Sequence, residues 1–458
     1  MKISKTNQNK KYYLDKNSLK FLMKYGTTLQ KIRKIIRLPK TAFEERKIIA
    51  NRIRTGPFIF NFLSLNISSV INRLLTFVLF FFLIRYFSVE DYGIYTLVWA
   101  HIGILAPILD LGTTNYSLVY ISSDKTKKYN SLLSLRLILS FIVFLSTIIL
   151  GILLYNKPDI ILYIVLTSFV IFSNTWSGSY LILTSIKEKN YLAAITSSIF
   201  IFLLVVLLIL SLVFTKNLLF VFIFVFALYN LYSVFNIVLI KNEIKNIKFA
   251  FDYAYWLYII KKSYIFVLIT FFAGIYFKFD VVLIKLLQSE HDVGIYSAGY
   301  KFFEALIFIA SSYTFTATPI LAKLVNKNIE KFFLRVKRDI LLLGTVGILT
   351  SAAVYLLTPI FLPLILKSNF LPSLLVLRIV IFALPFIFIS TIFMNALYVL
   401  KKTYIVLLLF VFQTIFNLTL NYIFIPQYSY LASAYITVVG EVLNVLILVL
   451  IFMKIKKY

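Results

Sequence analysis

Leu286–Glu304 reads LLQSEHDVGIYSAGYKFFE, and much earlier in the chain Tyr86–Trp99 reads YFSVEDYGIYTLVW. Setting Gly93-Ile94-Tyr95 on Gly294-Ile295-Tyr296 also brings Asp91 onto Asp292. In both copies a short acidic turn joins two apolar runs, each long enough to cross a bilayer. A turn that recurs at so wide a separation implies two related halves. In a membrane protein, two related halves point to a transporter whose site lies between them.

Composition bounds the class. The 458 residues are 61% hydrophobic and only 14% charged, with a mean hydropathy of +0.91. Soluble domains carry roughly 45–50% apolar and about 25% charged residues, so a soluble globular protein is excluded. Phe (46) and Tyr (31) are abundant, as expected where rings sit at the membrane–water interface. With no Cys, the chain has no disulfide framework, thiolate metal site or Cys nucleophile. Two His argue against a His-rich metal centre. The net charge of +29 could attract nucleic acid. It is concentrated, however, in the N-terminal tail and in alternate loops, which is the pattern of membrane topology; no nucleic-acid partner is expected.

Residues 1–57 form a basic N-terminal extension including Lys10, Lys24, Arg33 and Arg37, without a signal-peptide pattern. Phe21–Leu38 has loose helical periodicity that suits an anionic lipid surface or a solvated tail. Apolar runs of about 20 residues, the length of a spanning helix, then follow at about 60–86, 93–119, 130–154, 159–184, 191–214 and 218–240. They resume at about 263–287, 295–321, 339–357, 375–400, 404–425 and 430–453. Pro359, Pro363, Pro372 and Pro385 interrupt the region around the tenth run. An N-lobe over 58–243, a linker over 244–262 and a C-lobe over 263–458 follow. The linker, KNEIKNIKFAFDYAYWLYIIKK in its full basic frame from Lys241, reads as an amphipathic segment in the cytoplasmic interface.

Loop charges orient the chain. Lys125, Lys127 and Lys128, then Lys187 and Lys189, Lys241, Lys245 and Lys248, Lys323 to Arg338, and Lys401 and Lys402 mark one side together with both termini. The alternate loops SVED, YNKPD, TKN, QSEHD and PQYSY are poor in positive charge. Both ends are therefore expected in the cytoplasm of a multi-pass plasma-membrane protein. A second echo, Lys187-Glu188-Lys189-Asn190-Tyr191 against Lys401-Lys402-Thr403-Tyr404, precedes the fifth helix of each half.

Charges inside apolar runs cost about 2.5–3.5 kcal/mol at a helix centre and usually face an interior or a wet cavity. Arg73 shares a polar stripe with Asn66, Ser69 and Thr76, and reads as a cavity cation or as a partner of Asp110. Lys301 and Glu304 are three apart and either face a cavity or pair with each other. Lys278 either lines the cavity or snorkels outward. Asp280, too short to snorkel, serves a partner or a coupling ion. Arg136 either joins the cavity cations, guarding an inner entrance, or anchors, and Asp110, Glu304 and Glu441 join Asp280 as candidate coupling or cavity carboxylates, Glu441 at mid-membrane. Gln413, Asn417, Asn421, Ser433, Thr437 and Asn444 suit interhelical hydrogen bonding. There is no phosphate-binding Gly-rich loop and no metal-spaced His pair; no cofactor or metal is expected, and ATP is not a direct energy source within the chain.

From about Phe58 onward the sequence resembles the oligosaccharide flippases of polysaccharide biosynthesis (Wzx-type), within the wider group of MATE exporters and lipid II flippases. The carriers of the resemblance are RYFSVEDYGIYTLVW with Ile108–Gly112, then Phe279–Glu304, and Asn417–Glu441. Tyr428–Ser433 departs from the family pattern, which has glycines after the proline. The resemblance implies an all-α fold of about twelve transmembrane helices in two six-helix lobes around a central cavity. It further implies alternating access for a lipid-linked oligosaccharide whose polyprenyl tail stays in the lipid. Asp280 and Glu304 match polar sites of the second lobe, and Arg73 lies where first-lobe helices carry cavity arginines. Phosphate or pyrophosphate would attract Arg and Lys in a cavity of low dielectric, and Na+ or H+ coupling is compatible with the carboxylates. A MATE-type drug exporter is the first alternative. A membrane-embedded polysaccharide polymerase or ligase is the second, although no acid–base constellation gathers on an outer loop.

Overall fold

The computed structural model describes residues 55–110, 126–244 and 247–457. Most of the basic extension, the expected end of the second span (111–119), Lys125 and Lys245 lie outside the described residues. The chain divides into two compact units, Met1–Phe60 and Asn61–Tyr458, and the second contains all twelve apolar spans.

All regular structure among the described residues is helical. The first half comprises α1 (Thr55–Tyr86), α2 (Val89–Asp110), α3 (Thr126–Leu154), α4 (Pro158–Ser168), α5 (Val170–Ile186), α6 (Asn190–Thr215) and α7 (Leu218–Glu243). The second comprises α8 (Tyr253–Leu287), α9 (Glu290–Lys327), α10 (Ile329–Ile365), α11 (Ser373–Val380), α12 (Leu384–Val399), α13 (Thr403–Tyr428) and α14 (Tyr430–Lys457). Helices α4 and α5 make one span, Pro158–Ile186, and Ser368–Val399 is another that includes α11 and α12. Of the four prolines expected to interrupt this region, Pro359 and Pro363 lie inside the unbroken α10, and the breaks are local to the stretch from Pro372 to Pro385. A 3₁₀ turn at Ile381–Ala383 lets Pro385 fall in the first turn of α12, where its missing N–H is not needed.

The repeated turn has a repeated physical cause. Ser88 Oγ accepts from Asp91 N at 3.0 Å and donates to the Asp91 carboxylate; Ser289 does the same with Asp292. Each is a Ser-x-x-Asp cap that satisfies an otherwise orphan amide at a helix start. The turn end of the molecule carries both caps. At the opposite, terminal end the second echo is also structural. Glu188 and Lys401 both adopt left-handed φ, 58° and 59°. Behind them, Lys189 N reaches Thr184 O and Lys402 N reaches Leu397 O. These are matched Schellman closures built without glycine.

The segment expected as an amphipathic linker is continuous with the next span: Asp252 caps a helix that begins at Tyr253 and runs unbroken to Leu287. Trp256 Nε1 donates to Ser131 O at 2.9 Å, and Ala250 N to Ser134 Oγ at 3.0 Å. Tyr255 and Ile259 share a buried cluster with Leu132, Ile182 and Ile240 of the first half. The aromatics of this stretch thus face two ways: Trp256 and Tyr255 pack inward, while Phe249, Phe251 and Tyr253 remain exposed.

Candidate functional site

The two halves meet most closely at the turn end. Gly93 of α2 lies so near the carbonyl of Glu290 that a Cβ there would collide with it, and would also stand 2.9 Å from Gly294 N. Gly294 of α9 is the mirror case: a Cβ would collide with Val89 O and stand 2.8 Å from Val89 Cγ1. Only residues without a side chain permit this backbone approach. An ion pair reinforces it across the halves. Lys157, before α4, reaches Glu290 at 2.7 Å, and Lys285 of α8 joins the same carboxylate at 3.0 Å. Asp292 additionally accepts from Ser429 Oγ at 2.9 Å. Ser429 itself holds a positive φ of 49°.

Between this contact and the packing of α8 on the first half described above, the halves enclose a cavity of about 380 Å³. The first half contributes Thr76 and Phe80 of α1, Tyr92, Tyr95 and Trp99 of α2, Leu204 of α6 and Tyr229 of α7. The second contributes Phe277 and Lys278 of α8, and Tyr296, Ser297, Tyr300, Lys301 and Glu304 of α9. The wall is therefore apolar, of aromatic and aliphatic side chains alike, with one charged cluster. In that cluster Lys278 Nζ donates to Glu304 Oε1 at 2.9 Å and Lys301 Nζ to Glu304 Oε2 at 3.1 Å. All three side chains are 37–38% exposed. Lys278 does not snorkel outward as one expectation had it; the carboxylate one helix away holds it in the cavity.

The other expected site residues are distributed differently. Arg73 is exposed and sits one turn before Thr76 on α1, its guanidinium 4.3 Å from the Phe308 ring centroid. The partner considered for it, Asp110, instead binds Arg136 at 3.0 Å. Arg136 is 4% exposed and packs so tightly against Gly178 that a side chain there would collide. It is thus locked inside the first half and is absent from the cavity lining, contrary to a role as a cavity cation. Asp280 is buried in the second half, accepting from Tyr296 Oη at 3.0 Å and Asn421 Nδ2 at 3.3 Å. Asn421 in turn accepts from Ser433 Oγ at 2.6 Å and donates to Asn417 Oδ1 at 3.1 Å. Glu441 is also buried, accepting from Tyr276 Oη at 2.9 Å and Asn444 Nδ2 at 3.4 Å. Asn421 thus bridges α8, α13 and α14, the interhelical bonding expected of it, whereas the buried Gln413 amide makes no such bond and Asn444 and Thr437 bond within α14.

Two features escaped the sequence reading. Tyr296 lines the cavity and hydrogen-bonds Asp280, so one tyrosine joins the open space to the buried carboxylate. Its place in the repeated Gly-Ile-Tyr was the available signal. The aromatic row of Tyr92, Tyr95 and Trp99 along the wall was the other, visible as an i, i+3, i+7 spacing. Among the described residues no group of three or more His, Cys, Asp or Glu gathers to hold a metal.

Comparison with known proteins gives a family and a fold. A family model described as "Polysaccharide biosynthesis protein" matches residues 58–325. Among curated proteins no sequence match is found. Among solved structures, the lipid II flippase MurJ in an inward closed conformation superposes with a TM-score of 0.69 at 13% identity, covering 85% of this chain and 87% of that one. An inward-facing multidrug resistance MATE family transporter of the MOP superfamily gives 0.66 at 15% identity, covering 84% and 96%. A MOP superfamily transporter from Pyrococcus furiosus gives 0.59 at 16% identity, covering 86% and 95%. The likeness establishes a multi-pass membrane fold of two six-helix lobes around a central cavity.

Proposed function

The chain belongs to the polysaccharide biosynthesis protein family, and we propose that it is a non-enzymatic flippase for a lipid-linked oligosaccharide. It carries the saccharide, on a polyprenyl phosphate or pyrophosphate, from the cytoplasmic to the outer leaflet by alternating access. The observation that carries this reading is the cavity wall, built by both halves from aromatic rings and the Lys278–Glu304–Lys301 cluster. Ring faces and tyrosine hydroxyls suit sugars. Two lysines against one glutamate leave the cluster with one positive charge in excess, which in a site of reduced dielectric favours an anionic linker. Arg73, exposed on α1 beside Phe308, is a further cation for that linker.

On the loop-charge rule the turn end faces outward and both termini lie in the cytoplasm of the plasma membrane. The form described is then closed outside by Gly93, Gly294 and the Lys157–Glu290 pair. Asp280 is the coupling carboxylate, with Na+ or H+ as its ion and Tyr296 as its link to the cavity. A drug exporter shares the architecture, but cationic drugs favour an acidic cavity rather than this one. The experiment reconstitutes the purified protein in liposomes with a fluorescent polyprenyl-pyrophosphate saccharide and follows protection of the sugar from an added glycosidase. Protein-dependent translocation that falls in Lys278→Ala and Lys301→Ala is expected. Absence of translocation together with efflux of a cationic dye would refute it in favour of the exporter.

A further inference from the structure

We infer that Glu304 is an internal stand-in for the phosphate of the carrier, occupying both cavity lysines until the ligand displaces it; this rests on the reading of the cavity given above. Its two oxygens each take a different ammonium, from two different helices, at 2.9 and 3.1 Å. A phosphate bridging the two lysines would use the same geometry. The other carboxylates of the membrane region are held otherwise. Asp280 and Glu441 are buried and answered by tyrosine and amide donors. Glu290 takes both of its lysines through one oxygen at the junction of the halves. Among these four carboxylates, only Glu304 bridges two lysines in the wall of the cavity.

The arrangement has a physical logic. Two ammonium groups left unpaired in a half-dry cavity are costly, because each loses water without gaining a partner. Glu304 removes that cost while the cavity is empty. An arriving phosphate offers each lysine a new charge-assisted hydrogen bond in place of the one it gives up. The displaced carboxylate turns to water or to the Tyr300 hydroxyl, which lines the same space. A neutral glycolipid offers no such exchange and leaves the cluster shut. Glu304 is therefore an internal competitor: it lowers affinity for an anion, which must break the cluster to bind, and leaves the affinity of a neutral ligand unchanged.

The test is calorimetric titration of the full-length protein in phosphatidylcholine nanodiscs with geranyl pyrophosphate, and with geraniol as the neutral probe. Removing two partly exposed ion pairs of ordinary strength corresponds to about a tenfold change in binding constant. Glu304→Gln should therefore bind geranyl pyrophosphate about tenfold more tightly, with geraniol binding unmoved. Glu304→Asp, whose shorter side chain can satisfy only one lysine, should fall between Gln and the native protein, and it carries the test if the Gln variant does not fold. Lys278→Ala should weaken binding in the native and Glu304→Gln backgrounds alike. In the liposome assay Glu304→Gln should lower both KM and kcat, because the anion is held too long. Pyrophosphate binding by the native protein that is equal or weaker in both Glu304 variants would overturn the stand-in role and leave the flippase reading intact. No saturable pyrophosphate binding by the native protein or any variant would overturn both.

Discussion

Adding one methyl group at Gly294 should pry the molecule open at its turn end. In the structure a Cβ on Gly294 stands 2.8 Å from Val89 Cγ1 and 2.9 Å from Val89 C, with the Val89 carbonyl oxygen nearer still. Ordinary carbon contacts lie at about 3.5–4.0 Å. The starts of α2 and α9 must therefore separate by about 1 Å, and because the obstacle is backbone, no rotamer change relieves it. Overpacking of this kind costs about 1–3 kcal/mol, which corresponds to a shift of about 5- to 150-fold toward the open form. The native chain has no Cys, so a single reporter suffices. Ser297 lines the cavity and is buried, and Ser297→Cys can be labelled with an impermeant maleimide added on the turn-end side. Gly294→Ala should speed labelling by the factor above, Gly93→Ala should do likewise, and the double variant should exceed either. Unchanged labelling rates in folded Gly93→Ala and Gly294→Ala proteins would refute the claim that this contact closes the cavity.

Lys157→Ala removes the ion pair across the same junction, but Lys157 is 61% exposed. It should raise the labelling rate by no more than about fivefold, since exposed pairs contribute about 0.2–1 kcal/mol, and the difference should vanish in high salt. Asp110→Ala takes the ion-pair partner from the buried Arg136 and should destabilise the protein by about 3 kcal/mol, the low end for a buried pair because Asp110 is 38% exposed; a thermal melt of the detergent-solubilised protein reads this. Glu188→Gly and Lys401→Gly relieve left-handed conformations that L-residues adopt at a cost of about 1 kcal/mol. Each should raise the melting temperature without slowing translocation.

The number and location of the spans were legible in the sequence because bilayer thickness imposes a length that apolar runs display directly. The two related halves were legible for a similar reason. Gly93 and Gly294 answer the same local demand, and identical demands preserve identical letters. The Ser-x-x-Asp caps at Ser88 and Ser289 were equally available at their spacing but become evident only once the helix starts are seen. Which charge meets which was not legible. A stripe of polar residues shows the face on which Arg73 lies, but not that Phe308 of another helix covers its guanidinium. Asp110 could be assigned to Arg73 or to Arg136 by depth alone, and packing of α2 against α3 chose Arg136. Local pairing is readable, as Lys301 and Glu304 at i, i+3 demonstrate. Lys278 entered the same cluster through tertiary contact, which no spacing within α8 encodes.

The junction at the turn end is reciprocal. Gly93 meets the residue four before Gly294, and Gly294 meets the residue four before Gly93. That rule, by which i touches j and j touches i, is what a twofold axis imposes on two identical subunits. The contact therefore has the form of a homodimer interface whose partners became covalently joined. Because one chain carries both copies, the cavity is free to be unequal: Lys278 and Glu304 stand on one side with no counterpart forced on the other.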